Sequence, residues 1–246
     1  VVGPRMKVLK LKSYLAVGDF DTVWKLIKQE PNPNSKEAWA MKLALADGYY
    51  AWGKYQEATN LYEKFFKQHP GGPSKGLEKF YLESAYKYAQ MLILMDKPEY
   101  ALKAYNYALK AAPKKNRKKS HIRRQLLGEK MELLMKIADT NPSKRNACKA
   151  QIKKIFDEIF WIQDLWFGKA VVVMAHLKKL EGDLEGAKKL IDDYTRQLLE
   201  IDKYLEEDQK RTGDNLMRLS PMAQCRYLLG VMMHDEAQKA SKAGDR

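Results

Sequence analysis

Residues 46–58 read Ala46-Asp47-Gly48-Tyr49-Tyr50-Ala51-Trp52-Gly53-Lys54-Tyr55-Gln56-Glu57-Ala58. Ala46 and Tyr49 are three apart, on one face of a helix, and Gly53-Lys54 interrupts that helix. Ala58 opens a second helical spacing, continued by Tyr62 and Phe65 and closed by Pro70. The reading is a helical hairpin, with small residues where the helices cross and rings beside them.

Working outward, the same grid falls on Leu82 to Pro113. Ala89 and Leu92 stand for Ala46 and Tyr49, Asp96-Lys97-Pro98 makes the turn, and Ala101, Tyr105, Ala108 and Pro113 follow. A third copy starts at Gly168, with Ala175, Gly182, Leu184, Ala187, Ile191 and Tyr194. A weaker copy opens the chain with Leu11, Gly18, Phe20, Val23 and Ile27. Self-similarity at such a period is the mark of a stacked helical-hairpin array. Between residues 118 and 161 the spacing is helical, but the grid is not found.

These residues resemble the tetratricopeptide repeat family, whose helix–turn–helix period is about 34 residues, over roughly two thirds of the chain. The resemblance implies an all-α fold, an α-solenoid of antiparallel helix pairs in a right-handed superhelix. It implies one repeat domain over 1–246, with repeats near 4–35, 39–72, 82–115, 118–161 and 168–201 and a partial one over 221–246. The partial repeat reads as a first helix and turn lacking its second helix, so the sequence reads as a fragment of a longer chain. A helical-hairpin array outside this family is the alternative.

Turn chemistry sets the boundaries. Ser35 and Ser220 are expected N-caps, with Pro221 at a first helical position. From Leu184 to Arg211 the apolar residues Leu184, Ala187, Ile191, Tyr194, Leu198, Ile201 and Leu205 alternate by three and four, a heptad seam. Met222, Cys225, Leu229 and Met232 continue that spacing in a last helix. The two helices either pack on each other or use the seam for self-association.

The composition excludes several classes. Two cysteines, Cys148 and Cys225, give no disulfide framework and read as buried thiols. No apolar run has the length and purity of a membrane span. The chain is therefore expected to be soluble, in the cytoplasm, or in the periplasm or outside the cell if a targeting segment has been removed. His69, His121, His176 and His234 form no two-histidine helical metal motif, and Gly71-Gly72-Pro73 lacks the context of a phosphate loop. No catalytic, cofactor or metal residue is assigned, and the chain is read as a non-enzyme.

The reading of function is a protein-interaction scaffold. In the resembled family the concave face is lined by the first helix of each repeat. Carried over by the grid, that face holds Arg5, Lys12, Leu43, Asp47, Tyr50, Glu83, Tyr86, Lys87, Gln90, Lys169, Val173, His176 and Lys179. Tyr50, Tyr86, Lys87, Gln90, Lys169 and His176 are the candidate partner contacts. The family's full set of Lys, Arg and Asn for gripping a carboxylate chain end is absent, so that ligand is not carried over.

The partner is expected to be a protein or peptide, and an acidic one fits the formal net charge of +14. The alternative is a basic module for nucleic acid or an anionic surface. It rests on that charge and on a run without acids: Lys110, Lys114, Lys115, Arg117, Lys118, Lys119, Arg123 and Arg124. The run lacks aromatic residues for base stacking. Between Glu181 and Asp208 the bias reverses, ten acids to four bases.

Overall fold

The computed structural model describes residues 4–113 and 120–244. They are all-helical, with eleven α-helices and no strand among the described residues. The sequence reading drew one domain over 1–246. Packing divides the chain into two compact units, Val1–Lys115 and Asn116–Arg246, and the division falls in the basic connection.

The first unit holds α1 (Pro4–Ala16), α2 (Phe20–Lys28), α3 (Lys36–Ala51), α4 (Tyr55–Gln68), α5 (Glu78–Leu94) and α6 (Pro98–Ala111). Consecutive helices pair as α1/α2, α3/α4 and α5/α6, and the first helix of each pair packs on the next, α1 on α3 and α3 on α5. The second unit holds α7 (His121–Thr140), α8 (Arg145–Ile159), α9 (Leu165–Leu180), α10 (Leu184–Thr212) and α11 (Pro221–Gly244), with 3-10 turns at Pro142–Lys144 and Leu216–Leu219. There α7 pairs with α8, α9 with α10, and α9 packs on both α7 and α11.

Four of the hairpin turns are built alike. Gly18, Gly53, Asp96 and Gly182 have positive φ, between 52° and 79°. In each, the next residue's N–H reaches back across the helix end: Asp19 to Tyr14 O, Lys54 to Tyr49 O, Lys97 to Leu92 O and Asp183 to Lys178 O, at 2.8–2.9 Å. This bond satisfies a carbonyl that the helix end leaves unpaired, and the left-handed residue makes it reachable. Asp96 does at 52° what glycine does elsewhere.

Five residues beyond each turn residue stand Val23, Ala58, Ala101 and Ala187, all fully buried. That is the small-residue position of the grid. The α7/α8 pair has no such turn. A 3-10 segment joins its helices, which is why the grid was not found there.

Capping follows the side-chain chemistry. Ser35 Oγ accepts from Ala38 N at 3.0 Å, and Ser220 Oγ accepts from Ala223 N at 2.9 Å while donating to Asp202 Oδ2 at 2.6 Å. Along α10 the seam is buried at Ala187, Ile191, Leu198 and Ile201. In α11 the buried set is Met222, Cys225, Leu228 and Met232, so Leu228 takes the place expected of Leu229. Helix α11 packs on α9 as well as α10, and its apolar stripe follows both contacts. Ion pairs join it to each: Lys179 to Asp235 at 3.1 Å and Lys188 to Glu236 at 3.5 Å.

Candidate partner-binding groove

A groove of about 260 Å³ opens on the first-helix face of the Val1–Lys115 unit. Helix α1 contributes Val8, Lys12, Leu15 and Ala16, and α3 contributes Ala44, Asp47, Gly48 and Ala51. Trp52 follows from the end of α3, and α5 contributes Phe80, Glu83 and Lys87. The apolar floor comes from short side chains at 44, 48 and 51, one face of α3. Gly48 sets the depth. A Cβ there would meet Leu15 Cδ2 at 2.6 Å, so glycine allows α1 and α3 to approach.

Trp52 forms one end wall. Its indole N–H donates to Leu15 O at 2.8 Å, and its ring lies over the Gly18 turn, where a Cβ would come within 3.1 Å. Half of Trp52 remains exposed.

Asp47 ties three helices together. Its Oδ1 accepts from Tyr62 Oη at 2.6 Å and from Ser84 Oγ at 2.9 Å, and its Oδ2 accepts from Lys87 Nζ at 2.6 Å. Tyr62 is fully buried. Burial first, and the Asp47 carboxylate second, push its hydroxyl well above the usual range, which keeps it a donor. Lys12 and Glu83 stand exposed on the two outer walls, and Glu83 has only a loose, solvated pair with Lys79 at 3.8 Å.

The groove brings Lys12, Asp47, Glu83 and Lys87 of the expected face together. Other expected contacts lie elsewhere. Tyr50 and Tyr86 are half-buried outside its lining, Tyr50 tilted against Tyr55 at 5.9 Å. Gln90 donates to the buried Tyr105 hydroxyl at 3.0 Å, a bond within the α5/α6 pair. Leu43 and Val173 are buried core residues, which corrects their placement on a surface.

In the Asn116–Arg246 unit, Lys169 pairs with Glu132 at 2.9 Å and lies 5.3 Å over the Trp166 ring. Lys179 is taken up by Asp235. His176 is half-buried, and desolvation holds its imidazole below the ordinary range against an opposing pull from Asp139. The Arg5 side chain lies outside the described residues.

The basic run divides. Lys114, Lys115, Arg117, Lys118 and Lys119 lie outside the described residues. Arg123 and Arg124 are corrected: both are buried and ion-paired, so neither offers a solvated charge. Arg123 Nε donates to Glu158 at 2.8 Å. Arg124, 2% exposed, grips Asp164 with two bonds of 2.7 and 2.6 Å and donates to the carbonyls of Ile159 and Ile162 at 2.7 and 2.6 Å. Asp164 also caps α9, accepting from Trp166 N and Phe167 N. The planar guanidinium fork matches this carboxylate-and-carbonyl cage, and Arg124 locks the α8–α9 turn onto α7.

The sequence reading missed the groove floor, although Ala44, Gly48 and Ala51 stand three and four apart and carry the signal of a close helix approach. Among the described residues no group of three or more His, Cys, Asp or Glu could hold a metal ion, and no helix is long and apolar enough to cross a membrane. Both cysteines are buried, and burial pushes the Cys225 thiol up to about 12. Comparison with family models, curated proteins and solved structures found no match for this chain.

Proposed function

We propose that this chain is a non-catalytic interaction scaffold, a helical-repeat protein of tetratricopeptide type that receives a segment of a partner protein in the α1–α3–α5 groove. The observation that carries the reading is the groove itself. Three successive first helices converge on an apolar floor, with unlike charges on the two outer walls. An extended peptide can lay one apolar side chain on Ala44 and Gly48, between Trp52 and Phe80, and meet Lys12 with a carboxylate. Aromatic end walls are the usual anchors of such contacts. The ordered pairing α1/α2, α3/α4, α5/α6 and the shared turn geometry support the repeat reading.

The test is site-specific photocrosslinking in cells that make the protein. A benzophenone residue at Glu83 should trap a protein, and the same residue at exposed Lys64, away from the groove lining, should not. Ala44→Trp, which fills the floor, should abolish the Glu83 product. Equal trapping from both positions, or a crosslinked product destroyed by nuclease, would overturn the reading and favour nucleic acid.

A further inference from the structure

The lining of the α1–α3–α5 groove carries four charged side chains, and they divide into two kinds. Lys87 Nζ lies 2.6 Å from Asp47 Oδ2, so these two neutralise one another. Asp47 is fixed in that pair by two further donors, the Tyr62 and Ser84 hydroxyls. Lys12 on α1 and Glu83 on α5 are left over, and they are not paired with each other. Among the described residues Lys12 has no ion-pair partner. Glu83 has Lys79, one turn earlier on its own helix, at 3.8 Å. An exposed pair of that kind contributes little, and exchanging it for a charge brought in by a ligand costs little. The groove is therefore basic along its α1 wall and acidic along its α5 wall, with the apolar floor of Ala44, Gly48 and Ala51 between them.

Helix spacing turns this pattern into a length. Packed helices lie about 8–10 Å apart. Helix α1 packs on α3 and α3 on α5, so the α1 and α5 axes are at most about 16–20 Å apart. Lys12 and Glu83 reach inward from both sides and shorten the gap between their charges. An extended chain advances about 3.3 Å per residue, and its side chains at i, i+2 and i+4 share one face. Three such side chains cover about 13 Å. The middle one falls on the floor, and the outer two reach the walls. In a helix, positions i and i+4 are only about 6 Å apart, too close to meet both walls with an apolar residue between.

We propose that the groove, on the reading of it given above, selects an extended segment with an acidic, a large apolar and a basic residue at alternate positions. The acid meets Lys12, the apolar side chain lies between Trp52 and Phe80, and the base meets Glu83. The charges fix which side chain lies on which wall and leave the backbone direction free, so the reverse order of the three residues is accepted too. A segment with two acids sets one of them against Glu83 and is disfavoured, in spite of the chain's formal net charge of +14. A segment with two bases sets one against Lys12.

The test is fluorescence anisotropy of the whole chain with three labelled peptides at low ionic strength, where exposed pairs count most. The mixed peptide has the core Glu-Ser-Leu-Ser-Lys, and the other two carry Glu or Lys at both ends of that core. The mixed peptide should bind about threefold or more tighter than either like-charged one. Lys12→Glu should move the preference to the dibasic peptide, and Glu83→Lys should move it to the diacidic one. Ala51→Trp, which blocks the floor, should abolish binding of all three. Positions 12, 51 and 83 are exposed, so folding is not at stake in any variant. Equal affinities, a wild-type preference for the diacidic peptide, or preferences unmoved by both charge variants would overturn the proposal. If Ala51→Trp still abolishes binding in those cases, the groove itself stands. Binding that survives Ala51→Trp would overturn the groove reading and this one together. A mixed peptide that does not bind saturably would overturn the charge rule alone, because crosslinking in cells tests the groove without it.

Discussion

The Tyr62 hydroxyl donates to Asp47 Oδ1 at 2.6 Å from a ring with no exposed surface, and the same oxygen accepts from Ser84 while its twin holds Lys87. One carboxylate therefore joins α3 to α4 and α5 just beneath the groove. Asp47→Ala removes the acceptor and leaves the Tyr62 hydroxyl buried without one. A loss of about 1–3 kcal/mol is expected. Tyr62→Phe should cost about 1.5–3 kcal/mol as a bond to a charged group is lost. Urea unfolding of the single and double variants gives the coupling. If the effects of Asp47→Ala and Tyr62→Phe simply add, the two residues are independent and the linkage is refuted.

Arg124 is the corresponding test for the other unit. Arg124→Met leaves Asp164 without its partner and the Ile159 and Ile162 carbonyls without their donor, and should cost about 3–5 kcal/mol. Arg124→Lys should recover only part of this, because an ammonium cannot reproduce the fork. Lys153→Ala, on the exposed side of α8, should stay within about 0.5 kcal/mol. Equal melting temperatures for Arg124→Met and Lys153→Ala would return Arg124 to the surface run in which the sequence reading had it.

Close packing supplies a third test. Ala58 is fully buried at the first turn of α4, and Ala58→Leu should destabilise by about 1–3 kcal/mol through overpacking. Gly168→Ala should do the same in the other unit, since its Cβ would come within 2.5 Å of Pro221 Cγ, and a proline ring cannot swing aside. Thermal melts of both variants check the two positions independently.

Stability should also depend on pH through two histidines. Burial, then Lys42, lowers the pKa of His69, whose ring centroid lies 3.4 Å from that of Trp39. Burial also lowers His176. Below the ordinary value of 6.5 the unfolded chain takes up these protons more readily than the folded one. Their contribution is therefore complete above that value and is lost as pH falls through the lower folded values. Unfolding free energy should decline from about pH 7 toward pH 5. The double variant His69→Gln, His176→Gln should flatten that decline, and an unchanged slope would assign it to other groups.

The helices and their turns were legible because both rest on local chemistry. Gly18, Gly53 and Gly182 are glycines where the backbone needs positive φ, and Ser35 and Ser220 stand where an N-cap accepts from three residues on. Pairings across the fold were not. Arg124 meets Asp164 forty residues away in sequence, and nothing in Lys118-Lys119-Ser120-His121-Ile122-Arg123-Arg124 distinguishes an arginine turned inward from a solvated one. Gln90 had the same ambiguity, a polar side chain on a first helix whose partner, Tyr105, lies on the next. The groove was half legible. Its charged walls came from the grid, whereas its floor depends on how closely α1 and α3 approach at Gly48.

Helix α10 runs for 29 residues, about 44 Å, yet no residue of it beyond Ile201 is fully buried. Its last three turns are held by Ser220 Oγ donating to Asp202 Oδ2, by the 3-10 turn Leu216–Leu219 packed on them, by the solvated pairs Lys210–Glu206 and Arg211–Asp208, and by Met217 N donating to Gln209 Oε1. Eleven such residues are too few to stay helical unaided in water. The amides from Asp202 to Thr212 should therefore exchange with deuterium by local opening, well ahead of those around Ile191 and Leu198, and should do so faster as salt weakens the surface pairs. One continuous helix thus contains two regimes of motion, with the boundary at Ile201.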